Sequence, residues 1–172
     1  PCGLLMDRES TSRILESGIE RISLSLDGAD AETHDRFSQV QGAFDATVRA
    51  AGVAREQGLA FQINTTVSKL NLHQLDDILS LAIELGAVGL HPFLLVPTGR
   101  GQALQDLEID PLAYEHVLMW IYEKSRTLPI ELKPTCAPHY YRIYRQQQRA
   151  EGLNVRSERH RSPAMTKGCL GG

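Results

Sequence analysis

Cysteine is scarce: only Cys2, Cys136 and Cys169 occur among 172 residues. An odd, sparse count excludes a disulfide-stapled scaffold and predicts a reducing, cytoplasmic setting. Long apolar runs are also missing. Stretches such as Phe93 to Val96 fall far short of the roughly 20 residues a membrane-spanning helix needs. Positive charge is not in excess, with 18 Lys and Arg against 21 Asp and Glu, so neither nucleic acid nor an anionic membrane is an expected partner. The sequence contains no GxGxxG, P-loop, HExxH or CxxC motif, nor any low-complexity tract or Gly/Ser linker. What is present is a globular composition, 42% hydrophobic and 23% charged, at a length that suits one domain with its own core. The chain starts at Pro1 and stops just after Cys169, which reads as an interior piece of a longer protein.

Along the chain, helix and strand periods alternate. Asp7 to Ser17 is helical in character and closes at Gly18. In Ile19 to Leu26, Ile22, Leu24 and Leu26 alternate with Ser23, Ser25 and Asp27, the period of a strand. Asp30 can cap a short helix over Ala31 to Phe37, and Phe44 to Gln57 is a second helix closed by Gly58. The unit then repeats: a strand over Leu59 to Val67, a helix over Leu72 to Leu85, and a third strand over Ala87 to Val96. After it, the loop Thr98-Gly99-Arg100-Gly101 offers a weak anion cradle. Such spacing predicts an α/β fold with parallel strands and crossover helices, either a doubly wound sheet or part of a β/α barrel. From Asp110 the pattern changes to a helix with Pro111 at its first position, running to about Arg126. A short extended run follows over Pro129 to Lys133, then a helix over Pro138 to Ala150. Of the histidines, His34, His73 and His116 are expected to be exposed on helices, His91 lies on a strand, and His139 is the better site candidate.

Two features suggest chemistry. Ser23, Ser25 and Asp27 share one strand face, and Gln62, Asn64 and Thr66 share another. Barrel interiors are usually filled by branched apolar side chains, so these polar faces point either to a polar ligand at the C-terminal strand ends or simply to solvent. Ser25 and Asp27 point the same way and can together bind ribose hydroxyls. Cys136 and Cys169 are either thiolate ligands of one iron–sulfur cluster or inert buried thiols. Small residues around Cys169, in Lys167-Gly168-Cys169-Leu170-Gly171, would let the backbone approach a bulky anionic centre.

Several motifs together carry a family resemblance. Ile22-Ser23-Leu24-Ser25-Leu26-Asp27-Gly28, Thr33-His34-Asp35-Arg36-Phe37 and Gly42-Ala43-Phe44-Asp45 resemble the fourth strand and following helix of radical S-adenosylmethionine (SAM, AdoMet) enzymes. Gln62-Ile63-Asn64-Thr65-Thr66-Val67 with Asn71 is similar to their fifth strand, and Phe93 to Gly101 to their sixth strand and its loop. Cys2-Gly3-Leu4-Leu5 is similar to the turn ending their third strand, with Cys2 where Asn is usual. Lys133 to Arg142 and Met165 to Gly172 resemble the haem-biosynthesis branch that carries a SPASM-type extension.

The resemblance implies a partial, TIM-like β/α barrel of the radical SAM type over residues 1–109. Residues 110–172 would then hold the last barrel helix and strand and the start of an auxiliary-cluster region. AdoMet would contact Ser25, Asp27, Asn64, Thr66, Leu95 and Pro97. Cys136 and Cys169 would help hold an auxiliary [4Fe–4S] cluster, and Cys2 would be a bystander. His139 and Arg100 are candidate catalytic residues, and Arg100 and Arg142 are candidate partners of substrate carboxylates. The implied reaction is oxidative decarboxylation of the propionates of iron-coproporphyrin III to vinyls through a 5′-deoxyadenosyl radical, fed by a low-potential electron donor. Removal of acetate groups from didecarboxysirohaem, maturation of nitrite-reductase haem, maturation of a peptide, and a non-catalytic α/β binding module are the alternatives. The CxxxCxxC motif of the radical-generating cluster is absent from the sequence, so the segment on its own is expected to be inactive.

Overall fold

Asp residues set the starts of three helices. In the computed structural model, which describes residues 2–96 and 104–152, Asp7 caps α1 (Arg8–Glu16) in a reciprocal capping box with Ser10. Asp30 caps α2 (Ala31–Ser38) through the Thr33 N–H, and Asp110 caps α5 (Pro111–Ser125) with Pro111 in its first turn. Each side-chain oxygen takes up an amide that the first helical turn leaves without a partner. The remaining helices are α3 (Ala43–Glu56), α4 (Leu75–Leu85) and α6 (Tyr140–Ala150).

The strands β1 (Arg21–Ser25), β2 (Ala60–Val67), β3 (Gly89–Leu94) and β4 (Glu131–Leu132) form one sheet in the order β1-β2-β3-β4. All pairings are parallel. The strand order follows the chain without a reversal. A doubly wound sheet reverses its order at a switch point, so this is the arrangement of a partial β/α barrel. β4 adds a strand to the three expected from the sequence.

β4 is short for a local reason. Backbone groups of Leu90, Pro92 and Leu94 face β4: Lys133 N–H donates to Leu90 O, Thr135 N–H to Pro92 O, and Leu94 N–H to Thr135 O. Pro92 has no N–H to give, so the ladder is interrupted and resumes as an isolated Phe93–Thr135 bridge.

Alternation along the strands separates two faces. In β2, Phe61, Ile63, Thr65 and Val67 are buried while Ala60, Gln62, Asn64 and Thr66 are half-exposed. The apolar face continues through Leu24, Leu90 and Leu132, which are in register with Ile63 and with each other. It packs against Ala50, Ala51 and Ala54 of α3, Ile78, Leu79 and Ala82 of α4, and Val117, Leu118 and Ile121 of α5. Burying a side chain such as Ile63 or Phe61 contributes about 2 kcal/mol. Among the described residues, no helix is long and apolar enough to cross a membrane.

Candidate functional site

The opposite face of the sheet is polar, and its residues line up in rows. Ser23, Gln62, Gly89 and Glu131 form one row across the four strands, and Ser25, Asn64 and His91 form the next. Arg21 pairs with Glu131 at 2.9 Å across the N-terminal edge of this face. Gly89 makes room for that pair, because a Cβ there would stand 2.6 Å from Arg21 Nη2.

Toward the C-terminal end of the strands the polar groups become buried and closely tied. Asp27 is 6% exposed, and its Oδ1 accepts the Thr66 N–H at 2.6 Å. Burial pushes the Asp27 carboxyl up to about 6, against the lowering effect of its Thr66 hydrogen bonds. A carboxylate held near the edge of ionisation at strand ends is a candidate functional group. Asn71 fixes the two strand ends together: its Nδ2 donates to Asp27 O and Thr66 O, and its Oδ1 accepts the Ser68 N–H. Ser25 and Leu95 are half-buried at the same end.

His34 corrects an expectation. It is buried on α2, not exposed, and its Nδ1 accepts the Asp27 N–H at 2.9 Å. Burial holds its pKa down, so the neutral ring stays an acceptor at that nitrogen. Asp35 beside it accepts the Gly42 and Phe44 N–H groups and so begins α3. These three bonds explain the His34-Asp35 and Gly42-Ala43-Phe44 motifs as braces for the loop that carries Asp27. His73 and His116 are exposed, as expected. Nothing in the sequence pattern singled out the bracing roles of His34 and Asn71, since each depends on a contact to a distant strand.

A cleft of ≈ 980 Å³ opens by the end of β3, lined by Lys69, Tyr114, Cys136, His139 and Arg142 among others. Thr135 bridges to β3, which brings Cys136 to the C-terminal end of the sheet. Cys136 is exposed, carries a free thiol and adopts a left-handed φ of 55°. The His139 ring lies edge-on to Tyr114, with centroids 6.1 Å apart. Burial, with a smaller contribution from Cys136, pushes the Tyr114 phenol up. Arg142 is exposed and forked onto Glu115, with one bond at 2.9 Å and a second, closer one from Nη2 to Oε2. Among the described residues no group of three or more His, Cys, Asp and Glu side chains is placed to hold a metal ion. Pro97, Arg100 and Cys169 lie outside the described residues.

No family model matches the chain. Over all 172 residues it is 49% identical to the AdoMet-dependent heme synthase of Nitratidesulfovibrio vulgaris, covering 47% of that relative. The AdoMet-dependent heme synthase of Methanosarcina barkeri is likewise 49% identical over 170 residues, 99% of this chain and 48% of the relative. The chain belongs to the radical SAM family, in its haem-synthesis branch. It spans about half the length of the curated relatives it matches. Membership of the radical SAM family implies AdoMet and a [4Fe–4S] cluster. The fold agrees with that of a solved radical SAM enzyme, native anSMEcpe with bound AdoMet, at a TM-score of 0.59 and 17% identity, over 89% of this chain and 42% of that one.

Proposed function

We propose that this chain forms the AdoMet-binding part of a radical SAM enzyme that oxidatively decarboxylates the propionates of iron-coproporphyrin III. The observation that carries this reading is the polar face itself. Ser25, Asn64 and His91 lie in register, with Asp27 and Thr66 at the C-terminal end, on a sheet whose other face packs mainly apolar side chains. Ligands of parallel β/α folds bind at that end. The similarity to two AdoMet-dependent heme synthases supports a tetrapyrrole substrate.

AdoMet, reduced by a [4Fe–4S] cluster, supplies hydrogen-atom abstraction from an unactivated carbon. The chain's own residues bind and orient. Ser25 and Asp27 offer a hydroxyl and a carboxylate to ribose hydroxyls or to an ammonium group. Asn64 and Thr66 flank the ligand from the same sheet face, and Leu95 and Pro97 give the adenine an apolar contact. Cys136, exposed at the cleft, and Cys169 serve as thiolate ligands of an auxiliary [4Fe–4S] cluster. His139 and Arg100 contact substrate, whereas Arg142 is engaged by Glu115. Residues 1–109 act as the barrel portion and 110–172 lead into the auxiliary-cluster region. A low-potential donor in the cytoplasm supplies electrons, in keeping with the free thiols of Cys2 and Cys136.

The test is anaerobic incubation of the intact protein with reductant, AdoMet and iron-coproporphyrin III. Haem and 5′-deoxyadenosine are the expected products, and their absence would reject the decarboxylase reading. Cys136→Ala is expected to lower the iron content of the purified protein, and unchanged iron would remove Cys136 as a ligand.

A further inference from the structure

We infer that Glu131, His91 and Gln62 act as positioning residues that fix the direction of the Asn64 amide, so that Asn64 presents N–H donors outward from the polar face of the sheet. The chain of contacts runs from β4 to β2. Arg21 holds the Glu131 carboxylate at 2.9 Å. Glu131 Oε1 stands 3.7 Å from His91 Nε2, too far for a hydrogen bond but close enough for its charge to act. A ring lone pair facing that carboxylate is repelled, whereas an N–H facing it is attracted. His91 therefore carries its proton on Nε2, and Nδ1 is left as an acceptor.

The rest follows from satisfying each group. Gln62 Nε2 lies 2.9 Å from His91 Nδ1 and 3.0 Å from Asn64 Oδ1. One –NH2 group can donate to both, while the Gln62 carbonyl in that place could donate to neither. With Oδ1 occupied, Asn64 turns its –NH2 to the half-exposed side of the strand. His91 is buried, and its Nε2 has no hydrogen-bond partner. Burial, aided by Arg21 and Lys133 and opposed by Glu131, keeps the ring neutral. The four side chains thus form one polarised row, and reversing any member reverses the next.

A ligand over Asn64 must then offer an acceptor, such as a carboxylate, a hydroxyl oxygen or a ring nitrogen. This consequence for the ligand rests on the AdoMet reading above, but the row itself does not.

The two parts separate in one experiment on the intact protein. Ring-nitrogen NMR of labelled histidine is expected to find His91 as the Nε2–H tautomer at neutral pH, and an Nδ1–H tautomer would overturn the row. Gln62→Glu keeps the shape but can only accept, so His91 is expected to take a proton on Nδ1 and the Asn64 amide to reverse. AdoMet binding, followed by calorimetry, should then weaken about tenfold, the scale of one lost hydrogen bond with a mismatched donor. Unchanged affinity with an altered His91 would overturn the role of Asn64 as donor. A wild-type protein that binds no AdoMet would remove the functional reading, and the tautomer would still decide the row.

Discussion

The two faces of the sheet are built from alternate residues of the same strands, yet they do opposite work. On one face Leu24, Ile63, Leu90 and Leu132 lie in register under three helices. On the other, Ser25, Asn64 and His91 lie in register, with Ser25 and Asn64 half-exposed and His91 buried. The apolar face supplies the stability, through area removed from water. The polar face carries costs instead: a buried carboxylate at Asp27 and an unpartnered buried nitrogen on His91. Expensive groups kept at the strand ends are the mark of a site rather than of packing.

The comparison can be broken most strongly on the apolar side. Ile63→Ala is expected to lower unfolding free energy by about 2–5 kcal/mol. Chemical denaturation of this variant, set beside the adjacent Asn64→Ala at under about 1 kcal/mol, would measure the contrast within one strand. Equal losses would erase it.

Asp27 gives the next largest effect, read through pH. Its pKa rises from 3.8 unfolded to about 6 folded. Between those values the unfolded chain loses the proton first, so stability falls as pH rises through this window and levels off above it. Asp27→Asn lacks that dependence and can still accept the Thr66 N–H. Its stability relative to wild type should rise by about 2 kcal/mol between pH 4 and pH 7. A constant difference would mean that Asp27 ionises freely.

Smaller effects sharpen the edges of the polar face. Gly89→Ala should displace Arg21 from Glu131 at a cost of about 1 kcal/mol, because that pair is only partly buried. Arg142→Ala should cost less than about 1 kcal/mol, since its pair with Glu115 is exposed. A larger loss from Arg142→Ala would show that the cleft around Cys136 depends on that fork.

Much of this was legible from residue order alone. The alternation in Leu59 to Val67 by itself separates Ile63 from Asn64, and Asp30 and Asp110 announce their helices. The fourth strand reads only as an extended run, because Pro92 interrupts its ladder and leaves two residues in regular pairing. His34 read as exposed because charged and polar neighbours surround it. Its burial follows from the Asp27 N–H, seven residues back, reaching its ring. The Glu131, His91 and Gln62 row was hidden for a related reason: it depends on strand register between segments 29 and 40 residues apart.

The most direct test of the polar face as the AdoMet site is calorimetric titration of AdoMet into the intact, anaerobic protein and its Asn64→Ala variant, alongside their thermal unfolding. The variant should bind at least about tenfold more weakly while unfolding at nearly the wild-type temperature. Wild-type affinity in Asn64→Ala would contradict the assignment.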